Sequence, residues 1–71
     1  MAEIHRVLPP NAQASLSGKV FLNHMQREKA RFRTLAEDGE ELRIFLDRGK
    51  ILAIGSILQS SYGKNFWVAA A

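Results

Sequence analysis

The side chains of this 71-residue sequence that could bind a metal ion are few and lie far apart. His5 and His24 are its two imidazoles, and the absence of cysteine excludes thiolate ligands and disulfide bonds. Protein sites for zinc or nickel draw on about four or more nitrogen, oxygen or sulfur ligands. We therefore expect no metal site in this chain, and His5 and His24 are the two candidates if one exists.

Serines are plentiful, but the pattern of a catalytic nucleophile is missing. No serine lies in a G-x-S-x-G turn, and Ser56, which follows Gly55, is more simply explained by a bend of the chain. The glycines also lack the spacing of a phosphate-binding loop. A chain this short has little stability to spare for several unpaired polar groups around a reaction centre. We predict that the protein is not an enzyme.

Basic residues alternate along one stretch of the chain. On a strand, Arg27, Lys29, Arg31 and Arg33 would share one face and form a basic stripe. Such a stripe is typical of a solvated face that protects an edge strand from aggregation. It is also the pattern of a docking surface for an acidic partner segment. An alternative function that uses the same basic face is the binding of RNA or single-stranded nucleic acid by a small β domain.

Two aromatic residues and one further arginine complete the candidate partner-binding residues. Phe66 and Trp67 are neighbours, so a strand turns one ring to the core and the other, taken as Trp67, outward. Phe45 interrupts the polar positions of an alternating strand and could extend an exposed apolar surface. The breaks at Arg48–Gly49 and Gly55–Ser56 are interpreted first as bends, and Arg48 second as a partner contact.

These residues would be positioned by a mainly β fold. Turn residues recur at short intervals between apolar segments, which indicates a small two-sheet β-sandwich or a partly open barrel of short strands. The length and the formal net charge of +3 fit a single domain, residues 1–71, with at most a short helical turn near Asn23–Arg27. The predicted strands lie near Ile4–Leu8, Lys19–Leu22, Lys29–Ala36, Leu42–Leu46, Ile51–Leu52, Ile57–Leu58 and Phe66–Ala69.

Residues 23–36 allow two interpretations. Their propensities fit one continuous helix, with Asn23 and Gln26 as a capping box and Gly39 just beyond its end. They also fit a short helical turn followed by an extended segment that pairs with the alternating strand after Gly39. The two interpretations differ in whether the basic residues lie on a helix or on a strand.

Side-chain parity favours the hairpin. A two-residue loop would mix polar and apolar side chains on each face, whereas a three-residue loop, Glu37–Gly39, sets Phe32 beside Ile44. The glycine of this loop then takes the left-handed position that a type I turn with a bulge requires. The same register sets Arg33 opposite Arg43, and this is unfavourable because two like charges then face each other.

The sequence shows no sign of export or membrane insertion. Its first segment carries Glu3 and no continuous apolar core, unlike a secretory signal. The longest aliphatic run, Ile51–Ile54, is far shorter than the ~20 residues that span a bilayer. We expect a cytoplasmic protein that does not contact membranes.

Taken in order, several short motifs resemble the N-terminal domain of the urease accessory protein E family, a family of nickel metallochaperones. That family runs from an R-x-K-x-R segment through a DG-x-E turn to L-P-R-G, continues with L-x-x-G-D-x-L and closes with V-x-A. Asp47 replaces its proline here and Ser56 replaces its aspartate, and both keep turn-forming character. The matching residues are Arg27, Lys29, Arg31, Asp38, Gly39, Glu41, Leu46, Arg48, Gly49, Leu52, Gly55, Ile57, Leu58, Val68 and Ala70, with His5–Leu8 as the opening strand.

The resemblance implies a peptide-binding domain of two small stacked sheets that assists urease metallocentre assembly by docking partner proteins. The expected partners are the urease apoprotein or other urease accessory proteins. In the family, nickel is held by histidines of a second, ferredoxin-like domain, so we expect no cofactor in this domain. The chain stops where that second domain would begin, which suggests an excised domain or a free-standing relative, monomeric in isolation.

Overall fold

The computed structural model describes residues 1–47, 49 and 51–71, and these form one six-stranded sheet and one short helix. The mainly β fold with a helical turn near Asn23–Arg27 is confirmed. The elements in chain order are β1 Ala2–Leu8, β2 Gly18–Leu22, α1 His24–Glu28, β3 Arg31–Leu35, β4 Glu41–Phe45, β5 Ile57–Ser60 and β6 Asn65–Ala70.

The strands follow the order β2-β6-β5-β1-β4-β3 across the sheet. β1 pairs with β4 and β2 with β6 in parallel, and the other neighbours are antiparallel. Near one end of the two edge strands, the backbone N–H of Glu37 donates to the carbonyl oxygen of Lys19 at 2.8 Å. The described residues therefore adopt the partly open barrel. Its hydrogen-bonded ladder is continuous, so the two stacked sheets implied by the resemblance are here one curled sheet.

The interior of the barrel is filled by apolar side chains that alternate along the strands. Inward residues on every strand except β3 are almost completely buried, while the residues between them face outward. This packing fixes which side chains each strand presents to solvent. The largest fully buried side chains are Phe66, Ile4, Leu22, Leu42, Ile44, Leu58, Val20 and Val68.

The hairpin of β3 and β4 has the predicted three-residue loop and register. Phe32 lies opposite Ile44, and Arg33 lies opposite Arg43. Gly39 has a φ of +91°, a conformation that side chains with a Cβ rarely adopt. The parity argument is thus confirmed, together with the like-charge pair that it entails.

Helix α1 begins at a capping box and ends after five residues. Asn23 Oδ1 accepts a hydrogen bond from the N–H of Gln26 at 2.8 Å, and Gln26 Oε1 accepts one from the N–H of Asn23 at 2.9 Å. The helix stops because Lys29 is already extended, with φ −81° and ψ 140°. Within the described ranges, no helix has the length and apolar character needed to cross a membrane.

The predicted strand Lys29–Ala36 begins at Arg31 instead, so the basic stripe is limited to its second half. Arg27 lies in α1 and Lys29 is the C-cap of that helix, so only Arg31 and Arg33 lie side by side on β3. The capping box competes with strand formation here, because it satisfies backbone groups at the start of the segment locally. Basic residues occur at every second position whether the segment is a helix or a strand, so this pattern could not distinguish the two conformations.

The predicted strand near Ile51–Leu52 is also wrong. Ile51 is exposed, whereas Leu52 is buried in the core. The N–H of Leu52 donates to the carbonyl oxygen of Arg27 at 3.0 Å instead of joining a ladder. Its hydrophobic character therefore reflects burial of a loop side chain.

Two glycine bends enclose this loop. Gly49 has a φ of +85° and Gly55 a φ of +91°, and the N–H of Gly55 donates to the carbonyl oxygen of Val68 at 2.8 Å. The interpretation of Gly55–Ser56 as a bend is confirmed. Arg48, which precedes the first glycine, lies outside the described residues.

Candidate functional site

One outward-facing surface gathers charged and aromatic side chains from three adjacent strands. Because Leu42 and Ile44 point inward, the other residues of β4 face outward. The strand registers set outward residues of β1 and β3 beside them. The set consists of Glu3 and His5 on β1, Glu41, Arg43 and Phe45 on β4, and Arg31, Arg33 and Leu35 on β3.

A shallow depression of about 400 Å³ lies in this surface along β3 and β4. Three guanidinium groups and two aromatic side chains border it, and none of its described lining residues is acidic. A guanidinium donates hydrogen bonds in a planar fork that fits carboxylates and phosphates. We call this depression the arginine groove, lined by Arg31, Phe32, Arg33, Arg43, Ile44 and Phe45.

Two arginines of the groove lie directly opposite each other. The N–H of Leu46 donates to the carbonyl oxygen of Ala30 at 2.7 Å, which makes these two residues a hydrogen-bonded pair. Bonded and non-bonded pairs alternate along an antiparallel ladder, so Arg33 and Arg43 form a non-hydrogen-bonded pair. Side chains lie closest at such pairs, and like charges opposite each other are destabilising there.

Arg43 has two glutamates near it on the outer face, Glu3 in register on β1 and Glu41 on its own strand. A carboxylate oxygen of Glu41 is 3.9 Å from Nε of Arg43, which is too long for a hydrogen bond. That Nε is also buried and lacks a hydrogen-bond partner in the described part of the chain. The groove thus holds an arginine with unused hydrogen-bonding capacity.

His5 covers one side of the aromatic ring in the groove. The ring centroids of His5 and Phe45 are 5.1 Å apart, and the planes differ by 11°. His5 faces outward because it follows the inward residue Ile4, and a β-bulge between Ile4 and Arg6 leaves it outside the pairing with β5. Nε2 of His5 is 3.3 Å from Oε1 of Glu3. The stacked imidazole supports Phe45, and Phe45 is 37% exposed.

Comparison with known proteins identifies the family. The family model described as UreE urease accessory protein, N-terminal domain, matches residues 4–71. The chain belongs to this family.

Relatives within the UreE family are similar along the whole chain. A urease accessory protein UreE of Marinomonas sp. (strain MWYL1) is 38% identical over 71 residues, which cover 100% of this chain and 48% of that protein. Those of Saccharophagus degradans and Pseudoalteromonas translucida are 39% and 30% identical, each covering 100% of this chain, and it covers 44% and 42% of them. The chain spans less than half the length of these relatives.

In this UreE-family domain, the partner-binding residues expected from the sequence separate into two groups. Arg31, Arg33 and Phe45 come together at the arginine groove. The others lie elsewhere, with Arg27 in α1, Lys29 at its C-cap and Trp67 on β6, while Arg48 lies outside the described residues.

Phe66 and Trp67 face opposite sides of β6, as strand alternation predicts. Phe66 is buried in the core, and Trp67 is half-buried on the outside with Nζ of Lys19 5.7 Å from its ring centroid. In the sheet, β5 and β1 separate β6 from β4. Trp67 and Phe45 therefore belong to different parts of the surface.

The two histidines are not brought together. His5 lies on β1, whereas His24 lies on α1 with its Nε2 2.6 Å from Oε1 of Glu28. In the part of the chain that the structure describes, no three His, Cys, Asp or Glu residues gather as metal ligands would. Each histidine has one glutamate, Glu3 or Glu28, as its charged neighbour.

A second groove, of about 300 Å³, lies between β1 and the loop that follows β4. We call it the side groove. It carries one guanidinium, Arg6, and one carboxylate, Asp47, among mostly apolar residues, and His5 lines its edge. This balance of charge gives no preference for an anionic or a cationic ligand. Its lining residues are His5, Arg6, Val7, Leu46, Asp47, Ile51, Leu52, Ala53 and Ser56.

Arg43 was not among the site residues predicted from the sequence. In the hairpin register Arg43 counted only as a cost opposite Arg33, although strand alternation already placed it on the same face as Phe45. A like-charge pair forced by a register is a signal for a binding site, because an uncompensated charge is tolerated where a ligand neutralises it.

Proposed function

We propose that this domain docks partner proteins during assembly of the urease metallocentre, through the arginine groove. The expected partners are the urease apoprotein or other urease accessory proteins. The proposal is carried by the convergence of Arg31, Arg33 and Arg43 with Phe45 on one exposed groove. Aromatic side chains and arginines are the residue types that most often dominate the binding energy of protein interfaces.

In this proposal, nickel is bound by the partner proteins or by the remaining part of a full-length relative, and not by this domain. His5 and His24 lie on separate elements, and each has a single glutamate nearby. Two isolated histidines offer too few ligands for tight binding. We expect that the domain neither binds nickel tightly nor turns over a substrate. A calorimetric titration that finds a submicromolar nickel site, lost in His5→Ala or His24→Ala, would contradict this expectation.

We also propose that the domain acts in the cytoplasm and is monomeric in isolation. The cysteine-free composition is compatible with a reducing compartment. The arginine groove carries three cations, so two copies facing each other across it would repel. Sedimentation equilibrium should give the mass of one chain, and a stable dimer would refute the monomer.

Binding to purified partners tests the groove. The urease apoprotein and each urease accessory protein are immobilised separately, and the affinity of the domain is measured by biolayer interferometry. We expect Arg31→Glu and Arg43→Glu each to weaken binding about tenfold, because reversed charges oppose the partner's potential. Arg6→Glu, the same change in the side groove, is the matched control and should leave the affinity nearly unchanged.

The pattern across the variants decides the outcome. Equal losses in Arg31→Glu and Arg6→Glu would mean that binding follows net charge, and the groove would be the wrong surface. Trp67→Ala and Arg48→Ala test the remaining predicted contacts in the same assay. An RNA oligonucleotide that binds more tightly than every protein, with a steep dependence on salt, would favour the nucleic-acid alternative.

A further inference from the structure

The arginine groove brings three guanidinium groups together, and the carboxylates beside it are those of Glu3, in register with Arg43, and Glu41, 3.9 Å from its Nε. Arg33 and Arg43 face each other at a closely spaced pair, and Nε of Arg43 is buried without a hydrogen-bond partner in the described part of the chain. A carboxylate placed between two guanidinium groups would relieve their repulsion. We propose that the groove binds an extended acidic segment of the partner, whose alternate carboxylates meet the arginines. This inference rests on the proposed function and names the chemistry of its ligand.

The spacing of the cations matches an extended ligand. Arg31 and Arg33 are two residues apart on one face of β3, which corresponds to about 6.6 Å at the rise of a strand. Alternate side chains of an extended peptide have the same spacing, so two acidic residues at positions i and i+2 fit both guanidinium groups. The first carboxylate then meets Arg33 at its pair with Arg43, and the second meets Arg31, beside the ring of Phe45.

The free edge of β3 favours a ligand in this extended conformation. The N–H of Ala36 donates to the carbonyl oxygen of Glu40 at 2.8 Å, so even-numbered residues of β3 direct their backbone groups toward β4. The backbone groups of Arg31, Arg33 and Leu35 point to the opposite side, where no described strand forms a ladder with β3, although Glu37 just beyond the strand donates to Lys19 of β2. An exposed strand edge of this kind pairs readily with an extended peptide.

Charge selects the occupant of this edge. A second copy of the chain would bring Arg31 and Arg33 next to the same residues of its own β3, and like charges there are destabilising. Nucleic acid would use Phe45 for base stacking, but His5 already covers one face of that ring. An acidic peptide neutralises the cations without needing the covered face.

Fluorescence anisotropy with a short labelled peptide that alternates glutamate with valine tests this inference. We expect the peptide to bind the domain, and Arg33→Gln and Arg43→Gln each to weaken binding about tenfold. Arg6→Gln is the matched control and should leave binding unchanged. The same peptide with glutamine in place of glutamate should bind at least about tenfold more weakly than the acidic one. Raising the salt concentration should weaken binding of the acidic peptide only.

A second readout separates binding from a merely structural role. Because Arg33 repels Arg43 in the free domain, Arg33→Gln should raise the melting temperature by about 2–4 °C while it weakens binding. A lower melting temperature would show that Arg33 supports the fold, and the inference would be wrong.

Each remaining outcome of the peptide assay overturns the inference. Equal binding of the glutamine peptide would mean recognition without charge, and tighter binding of an RNA oligonucleotide would assign the groove to phosphate. A peptide that fails to bind, while the purified partner proteins still bind through Arg31 and Arg43, would reject the acidic segment and leave the proposed function standing.

Discussion

Truncation of two leucines of one hairpin provides a direct test of the strand register. Leu42 on β4 is completely buried, whereas Leu35 on β3 is 61% exposed on the outer face. Both lose the same atoms when changed to alanine. Leu42→Ala should cost about 3 kcal/mol, since it removes a core side chain and leaves a cavity. Leu35→Ala should cost no more than about 0.5 kcal/mol, because its side chain stays in contact with water.

The cost of Leu42→Ala is a large part of the total stability. A domain of 71 residues is expected to have a free energy of unfolding of roughly 4–10 kcal/mol. At about 4–8 °C per kcal/mol for a domain of this size, Leu42→Ala should lower the melting temperature by about 12–24 °C. Leu35→Ala should lower it by less than about 4 °C.

Urea denaturation followed by circular dichroism measures both variants against the parent domain. Similar m-values in the three proteins would show that the midpoints report stability alone. Equal losses in Leu42→Ala and Leu35→Ala, or a larger loss in Leu35→Ala, would refute the register. In that case the hairpin faces would be exchanged and the arginine groove would not exist.

Three further substitutions test local features of the fold. Gly39→Ala should lower the free energy of unfolding by about 1 kcal/mol. The cause is its φ of +91° alone, since no atom lies within 4 Å of the added Cβ. Gly18→Ala, at a φ that suits alanine, is the control and should leave the thermal melt unchanged. Asn23→Ala should lower the free energy of unfolding by about 1 kcal/mol because it removes the cap of α1, whereas Asn23→Asp should retain most of that stability. Equal losses of stability in the two variants would argue against the capping box. Ser60→Ala should cost about 1–2 kcal/mol in urea denaturation, because Ser60 Oγ accepts hydrogen bonds from the N–H groups of Tyr62 and Lys64, and an unchanged midpoint would show that water replaces them.

The hairpin could be predicted from the sequence because parity is a strong constraint. Phe32 and Ile44 share a face only when the loop has three residues, and a shift by one residue would turn every apolar side chain of β4 outward. The glycine at the end of the loop independently agreed with this choice. Two separate requirements thus gave the same register.

The failures have a different physical origin. Ile51 has strong strand propensity, but the N–H of Leu52 donates to the carbonyl oxygen of Arg27 and not to a strand, and Leu52 is buried as a loop residue. Propensity does not distinguish a buried strand from a buried loop. The predicted strand began at Lys29, two residues too early, for a similar reason, since the alternation of basic residues fits both conformations.

The candidate site could be predicted only in part. Arg31, Arg33 and Phe45 follow from strand alternation within the hairpin, whereas their association with His5 depends on β1 lying beside β4. This is a contact between distant parts of the chain, which a single sequence does not specify. The separation of Trp67 from Phe45 likewise depends on the order of the strands.

Cross-saturation NMR on the amide-labelled domain, bound to purified urease apoprotein or to the accessory protein that binds it, tests the docking surface most directly. We predict that saturation is transferred to the amides of Arg31, Arg33, Arg43 and Phe45. The amides of the turn between β5 and β6, residues 61–64, should be unaffected. Saturation centred on that turn or on α1, with none at the arginine groove, would contradict the proposed role of the groove.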